Sequence, residues 1–321
     1  MSQFPKPNIF VSKCLGFAMC RYNGQTIQDD FVDKLKNYVN FTNACPEVEI
    51  GLGVPRFPIR IIFVDNGQRL IQPETGLDVT EKMSAFADKL LYPLTELDGF
   101  ILKERSPSCG IKGIKIYHQN GMTLKGNGVG IFAAKVLEGF PGIVVEEEGR
   151  LKNFKIREYF LTRIYVSAKF RNIKKTQKMK ALTEFHAENK FLLMAYNQIE
   201  MRILGKIAAN LEKYDIKKVF NDYEEHLKSA FKKQPGRASI INSLQHIMGF
   251  FKDSSTANEK KFFLESLDLY KEERIPLSSL ISMLRLWVAR SGNEYLLKQS
   301  IFEPFPMELT ELKDSGKKLD L

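Results

Sequence analysis

The hydrophobic pattern changes period near Gly149, and this change restricts the possible folds more than any other feature of the chain. Before it, short apolar runs alternate with amphipathic stretches. PNIFVS, YVNFT, IRIIFV, GFILK and GIVVEE read as strands, and IQDDFVDKLKN, VTEKMSAFADKLLYPL and VGIFAAKVLEGF read as helices. Strands alternating with helices point to an α/β layer fold with a mostly parallel sheet. Asn66 and Gly67, between IRIIFV and QRLIQ, add a hairpin signal, so one antiparallel appendage is expected on that sheet. Asp78 is expected to cap the second helix, with Glu81 closing a capping box. From about Leu151 the apolar spacing is helical almost throughout, divided by Pro235-Gly236 and Ile275-Pro276 into six or seven helices. The expected organisation is an α/β domain over residues 1–149 with a mostly parallel sheet, followed by an all-α domain over residues 150–321.

No apolar run approaches the roughly 18–20 residues that a bilayer span needs, so no membrane helix is expected. The N-terminus lacks a basic stretch followed by a long apolar one, which argues against secretion and for a cytoplasmic protein. Charge is placed unevenly. Residues 1–150 hold 17 Lys and Arg against 17 Asp and Glu, whereas residues 151–321 hold 31 against 21, so the whole net charge of +10 falls in the helical half. Such a field attracts polyanions, and RNA contact by the helical half is the partner it suggests.

The four cysteines, Cys14, Cys20, Cys45 and Cys109, all lie in the α/β half of the chain. Without a signal peptide, metal or redox chemistry is a better reading of them than disulfides, with buried structural thiols as the plain alternative. Cys14, Cys45 and Cys109 each follow an expected strand, in NIFVSKC, YVNFTNAC and the SPSCG loop after GFILKE. Ligands of open α/β sheets gather outside the carboxyl ends of the strands, so these three thiols are able to converge. Thiolates are soft donors that suit iron-sulfur clusters, zinc or cuprous copper. No CxxC pair marks a zinc ribbon, and His118, the one histidine of this half, reads as a surface or core residue before a ligand.

VSKCLGFAMCRYNG, NACPEVEIGLGVPRFP, LKERSPSCGIKGIKIY and GNGVGIFAAKVLEGF together resemble the motifs of the thiouracil desulfidase (TudS-like) family across residues 7–148. The resemblance implies a [4Fe-4S] cluster on Cys14, Cys45 and Cys109, with one iron left open. Cys20 stands where the family more often has an aliphatic residue and is not counted as a ligand, although six residues from Cys14 it is near enough to approach the open iron. The implied reaction is a hydrolytic, non-redox desulfurisation of a thiolated uracil base, nucleoside or nucleotide, such as 4-thiouridine monophosphate. Water adds at the polarised ring carbon and sulfide leaves.

Glu47 and Ser106 resemble the family's acid-base pair, with Ser108 able to supply the hydroxyl equally and with stabilisation of a helix N-terminus as the bland role for Glu47. Arg21, Tyr22 and Arg56 are candidates for orienting a base or a phosphate. Lys125 and Asn127 sit in a glycine loop expected to open a helix and so to offer amides to an anion. The family usually has Asp at Asn127 and also in the RYNG motif.

The second half has its own resemblance. LTEFHAENKFLLMAYN, ILGKIA, NSLQHIMGFFK and YLLKQSIFEPFPMEL resemble the YbgA-like helical domain over about residues 151–312. His186 and Lys190, with Arg202, His246 and Lys252, are candidates there for an anion site. Tyr196 stands where that family usually has histidine. Two other classes are carried forward: an RNA-binding or thiolated-RNA maintenance protein with structural cysteines, and a zinc-stabilised interaction protein.

Overall fold

Apolar strands buried on both faces favour parallel pairing under a cover of helices. The computed structural model describes residues 4–64 and 67–310, with the side chains of residues 125–127 outside that description. Its first sheet sets β1 (Asn8–Ser12), β2 (Asn40–Ala44), β6 (Gly99–Leu102) and β9 (Val144–Glu147) in the order β2-β1-β6-β9, every pair parallel. A second sheet contains β3 (Arg60–Val64), β4 (Gly67–Gln72), β5 (Leu77–Asp78), β7 (Ile114–His118) and β8 (Thr123–Gly128) in the order β5-β4-β3-β7-β8. Here β3 and β7 are parallel and the other pairs antiparallel.

The β3–β4 pair is the hairpin expected from sequence, and its turn residues Asp65 and Asn66 lie outside the described residues. Instead of hanging on the first sheet, the hairpin founds the second one. Ile61 and Leu70, paired across the ladder, turn one face into the core while Arg60 and Arg69 lie on the other, so this ladder needs helix cover on one face only.

Between and over these strands lie α1 (Asp30–Leu35), α2 (Pro46–Glu49), α3 (Thr80–Leu91) and α4 (Ile131–Gly139). Phe10, Ile61, Leu70, Met83, Phe100 and Phe132 meet in one core. The capping box expected at α3 does not form. Asp78 does accept the Thr80 amide at 2.9 Å, but Glu81 turns to Arg69 at 3.0 Å, drawn by a cation that Asp78 also binds.

The helices that follow are α5 (Phe154–Thr176), α6 (Met179–Tyr196), α7 (Gln198–Ala209), α8 (Ile216–Ala230), α9 (Arg237–Met248), α10 (Ala257–Lys271), α11 (Leu277–Ser291) and the short α12 (Glu294–Leu297). Gly236 and Pro276 stand immediately before α9 and α11, where breakers are tolerated. None of the described helices is long and apolar enough to cross a membrane.

The chain forms two compact units, one running to Ala168 and including Leu309, the other from Lys169 to Glu308, so the division falls inside α5. In the first unit the early turns of α5 cover the parallel sheet. A Cβ on Gly99 would lie 2.8 Å from Ile164, and the Tyr165 hydroxyl donates to the Tyr38 carbonyl at 3.2 Å. In the second unit Phe170 and Phe185 gather on Tyr223 of α8.

Candidate functional site

Side chains at the carboxyl ends of neighbouring parallel strands arrive side by side, because the strands lie only about 4.8 Å apart. Cys45 directly follows β2, Cys14 follows β1 and Cys109 comes from the loop after β6, and β2, β1 and β6 are adjacent in that order. All three line a cleft of about 380 Å³ together with Cys20, Glu47, Arg56, Ser106 and Ser108. The four cysteines are free and buried. Cys20 is not peripheral. It lines the same cleft, and its carbonyl accepts from the Cys45 thiol at 3.6 Å.

Glu47 is held on both oxygens. Arg56 donates to Oε2 from Nε at 3.0 Å and from Nη2 at 2.7 Å, with both side chains nearly buried. Ser108 donates to Oε1 at 2.6 Å, and Ser106 lies 3.4 Å from the same oxygen. The two hydroxyls are 2.9 Å apart. With its one proton given to Glu47, Ser108 accepts from Ser106. The Ser106 oxygen also accepts the amides of Cys109 at 3.1 Å and Ser108 at 3.3 Å, so it shapes the turn that carries Cys109. The bland role for Glu47 is weak here, because α2 is only one turn long and the carboxylate is spent on side chains.

The SPSCG loop rests on the start of α4. The amides of Ile131 and Ala133 donate to the carbonyls of Pro107 at 3.2 Å and Ser108 at 3.0 Å. Gly130 permits this contact, since a Cβ there would stand 2.4 Å from the Ser108 oxygen. The glycine loop expected before this helix is instead strand β8, and the amides of Ile131 and Ala133 are taken by the loop carbonyls. The side chains of Lys125 and Asn127 lie outside the described residues.

Burial, reinforced by the Glu47 carboxylate, pushes the Cys109 thiol up to about 12 against hydrogen bonds with Ser12 and Ser108. The hydrogen bond to Cys14 raises the Cys20 thiol to about 11, opposed by that with Cys45 and aided by burial. Cys45 is raised further by its bond with Cys20 and by burial. Thiols in such surroundings give up their protons to a bound metal rather than to water. Among the described residues no three His, Cys, Asp or Glu side chains are grouped to hold one metal ion. Tetrahedral zinc needs sulfurs about 3.8 Å from one another. A multi-iron cluster takes each thiolate on a separate iron, and the donor set, soft thiols on adjacent strand ends, fits that demand.

The other expected residues are spread around this centre. Arg21 and Tyr22 line the cleft, the guanidinium 5.7 Å from the ring centroid, and Tyr22 is exposed. Arg56 points inward and is committed to Glu47 and to the carbonyls of Cys20 and Gly53, each at 3.0 Å. Lys13, Lys103 and Arg105 also line the cleft and were not singled out from sequence. The available signal was position, since each adjoins a strand end or a cysteine loop. Lys103 pairs with the buried Glu148. In the second unit His186 sits 3.1 Å from the Tyr223 hydroxyl, and burial with the Lys190 charge pushes its pKa down to about 4. A neutral His186 offers no cation, so it leaves the expected anion set, whereas Lys190, Arg202, His246 and Lys252 are exposed.

Residues 9–148 match a family profile described as 2-thiouracil desulfurase, and residues 190–306 match one described as a protein of unknown function, DUF1722. The uncharacterised protein YbbK of Bacillus subtilis (strain 168) is 37% identical over 147 residues, which span 44% of this chain and 96% of YbbK. The uncharacterised protein YbgA of Escherichia coli (strain K12) is 23% identical over 137 residues, 42% of this chain and 80% of YbgA. Among solved structures, a [4Fe-4S]-dependent thiouracil desulfidase, TudS, is 32% identical, with 46% of this chain and 93% of that one covered and a TM-score of 0.35.

Proposed function

This chain belongs to the 2-thiouracil desulfurase family through residues 9–148, and from that premise we propose that it removes sulfur from a thiolated uracil base, nucleoside or nucleotide by hydrolysis, releasing sulfide. The observation that carries the reading is the meeting of three strand-end thiols with a doubly anchored carboxylate in one cleft. Cys14, Cys45 and Cys109 are the residues that would hold a [4Fe-4S] cluster. Such a cluster, bound through three thiolates, supplies a soft Lewis acid for a thiocarbonyl sulfur.

The chain's own groups handle the proton and the water. Glu47 serves as the general base, with Arg56 fixing one oxygen so that the other is aimed along the serines. A proton taken by Glu47 travels through Ser108 to Ser106, the half-buried end of the relay, where it meets the departing sulfur. Arg56 is thus a positioning residue rather than a substrate contact. Arg21 and Tyr22, at the exposed rim, are suited to orienting the base or a phosphate. Lys125 and Asn127 stay in the proposal as substrate contacts on the family resemblance alone. Free thiols fit the proposed cytoplasmic setting.

The division into residues 1–149 for catalysis and 150–321 as a helical accessory domain is kept as part of the proposal. The net charge of the helical half is its one argument for RNA. Lys169, Lys174, Lys218 and Lys228 are each paired with a carboxylate. The test is anaerobic reconstitution with iron and sulfide, followed by assay of sulfide released from 2-thiouracil and 4-thiouridine monophosphate. Turnover that disappears in Cys45→Ala is the expected result. An iron-loaded chain that releases no sulfide from either compound, yet retains RNA in a salt-dependent way, would replace this reading with the RNA-binding one.

A further inference from the structure

Of the cysteines in the cleft, Cys20 is the one to which the proposed mechanism gives no task. It is only 5% exposed and lines the cleft with Cys14, Cys45 and Cys109, so it lies among the candidate ligands rather than behind them. Its backbone is fixed on the same centre, the carbonyl accepting from Arg56 at 3.0 Å and from the Cys45 thiol at 3.6 Å. The segment that carries it differs from those of the other three. It is a loop closed on itself by Ile27 N–H to Cys14 C=O at 2.8 Å, and it turns at Gly16 and Gly24, whose φ values of +80° and +76° suit glycine alone. Cys14 and Cys45 are tied to strand ends and Cys109 to the start of α4, whereas Cys20 rides on this glycine-bounded loop. Four soft donors therefore meet where three already leave one iron of a cluster open.

We propose that Cys20 is a fourth, displaceable thiol ligand of this site, taking the coordination position that holding by Cys14, Cys45 and Cys109 leaves open and yielding it to the substrate's thiocarbonyl sulfur. The inference rests on the [4Fe-4S] reading above. The exchange involves no change of oxidation state. Cys20 releases its thiol proton to solvent when its sulfur binds iron, and it takes a proton back when the substrate sulfur replaces it. Three anchoring ligands thus hold the cluster, and a displaceable one shields it between turnovers.

Wild type, Cys20→Ala and Cys20→Val are compared after anaerobic reconstitution, the two variants bracketing the thiol's volume without a donor. Iron and acid-labile sulfide per chain are measured first, then again after ferricyanide, with electron paramagnetic resonance reading the three-iron species. All three chains are expected to hold the cluster as prepared. After oxidation both variants should lose about a quarter of their iron and show the three-iron signal, while wild type keeps its iron. Titration with 2-thiouracil, followed by visible absorption, should be roughly tenfold tighter in the variants if Cys20 holds the position about nine-tenths of the time. A wild-type cluster as easily oxidised as those of the variants, with equal 2-thiouracil affinity, overturns this inference and leaves the cluster reading intact. Loss of all iron in both variants also overturns it, because Cys20 would then be an indispensable anchor. Wild type that binds no cluster overturns the reading beneath it, and this inference falls with it.

Discussion

Glu47 has no freedom in its site: one oxygen is clamped by Arg56 and the other by Ser108. A general base held this way contributes typically about 10²–10⁴-fold, so Glu47→Gln should keep iron content and lose turnover by that order. Full activity in that variant would remove Glu47 from the mechanism. Arg56→Ala should be worse for the fold, because it leaves a nearly buried carboxylate unpaired, at a cost of about 3 kcal/mol. Its urea midpoint should fall well below that of Glu47→Gln. The residue types of the site were legible because CPE, SPSCG and GLGVPR are distinctive strings. The pairing was not, since Arg56 could be read equally as a substrate contact or as a structural partner, and only the folded loop aims it at Glu47. Cys20 could be read from sequence only as a non-ligand able to approach the open iron, since it lies in a loop with no periodicity to say which way its thiol turns.

At the scale of elements, the contact between α4 and the SPSCG loop is a test of positioning. Gly130→Ala drives a Cβ into the Ser108 carbonyl, so the loop must shift, with an expected loss of about 1–3 kcal/mol and of bound iron. Gly139→Ala, in the same helix with nothing within 4 Å of its Cβ, serves as the control and should leave iron content unchanged.

On α6, the depressed His186 makes a pH prediction. The unfolded chain takes up a proton near pH 6.5 that the folded chain refuses until about 4, so this contribution is complete above pH 6.5 and is lost as pH falls toward 4. The loss reaches about 3 kcal/mol at most, and Tyr223 and Lys190 are the polar groups facing the ring. Urea unfolding at pH 7 and 4.5 should show a smaller difference in His186→Gln than in wild type. Long apolar runs made the five strands β1, β2, β3, β6 and β9 legible. Strands β7 and β8 were not, because IKIYH and TLKGNG alternate weakly and the second carries two glycines, a composition that reads as loop until β3 supplies a partner.

For the whole molecule, the change of period marked where helices begin but not where a compact unit ends. The early turns of α5 are helical in pattern and yet pack on the parallel sheet, a tertiary fact that periodicity does not carry. A chain stopped at residue 149 should therefore melt earlier and less cooperatively than one stopped at 176, which keeps Phe160, Ile164 and Tyr165. Equal melting temperatures would return the boundary to Gly149.

The order β2-β1-β6-β9 also bears on how such a chain matures. Cys109 reaches its neighbours only when β6 has inserted between β1 and β9, and β9 ends at Glu147. During synthesis the first two strand-end thiols emerge long before the third has a seat beside them. On the proposed reading, iron would be acquired after folding, and the nascent chain would rely on its hydrogen-bonded sheet, rather than on the metal, to bring the thiols into register.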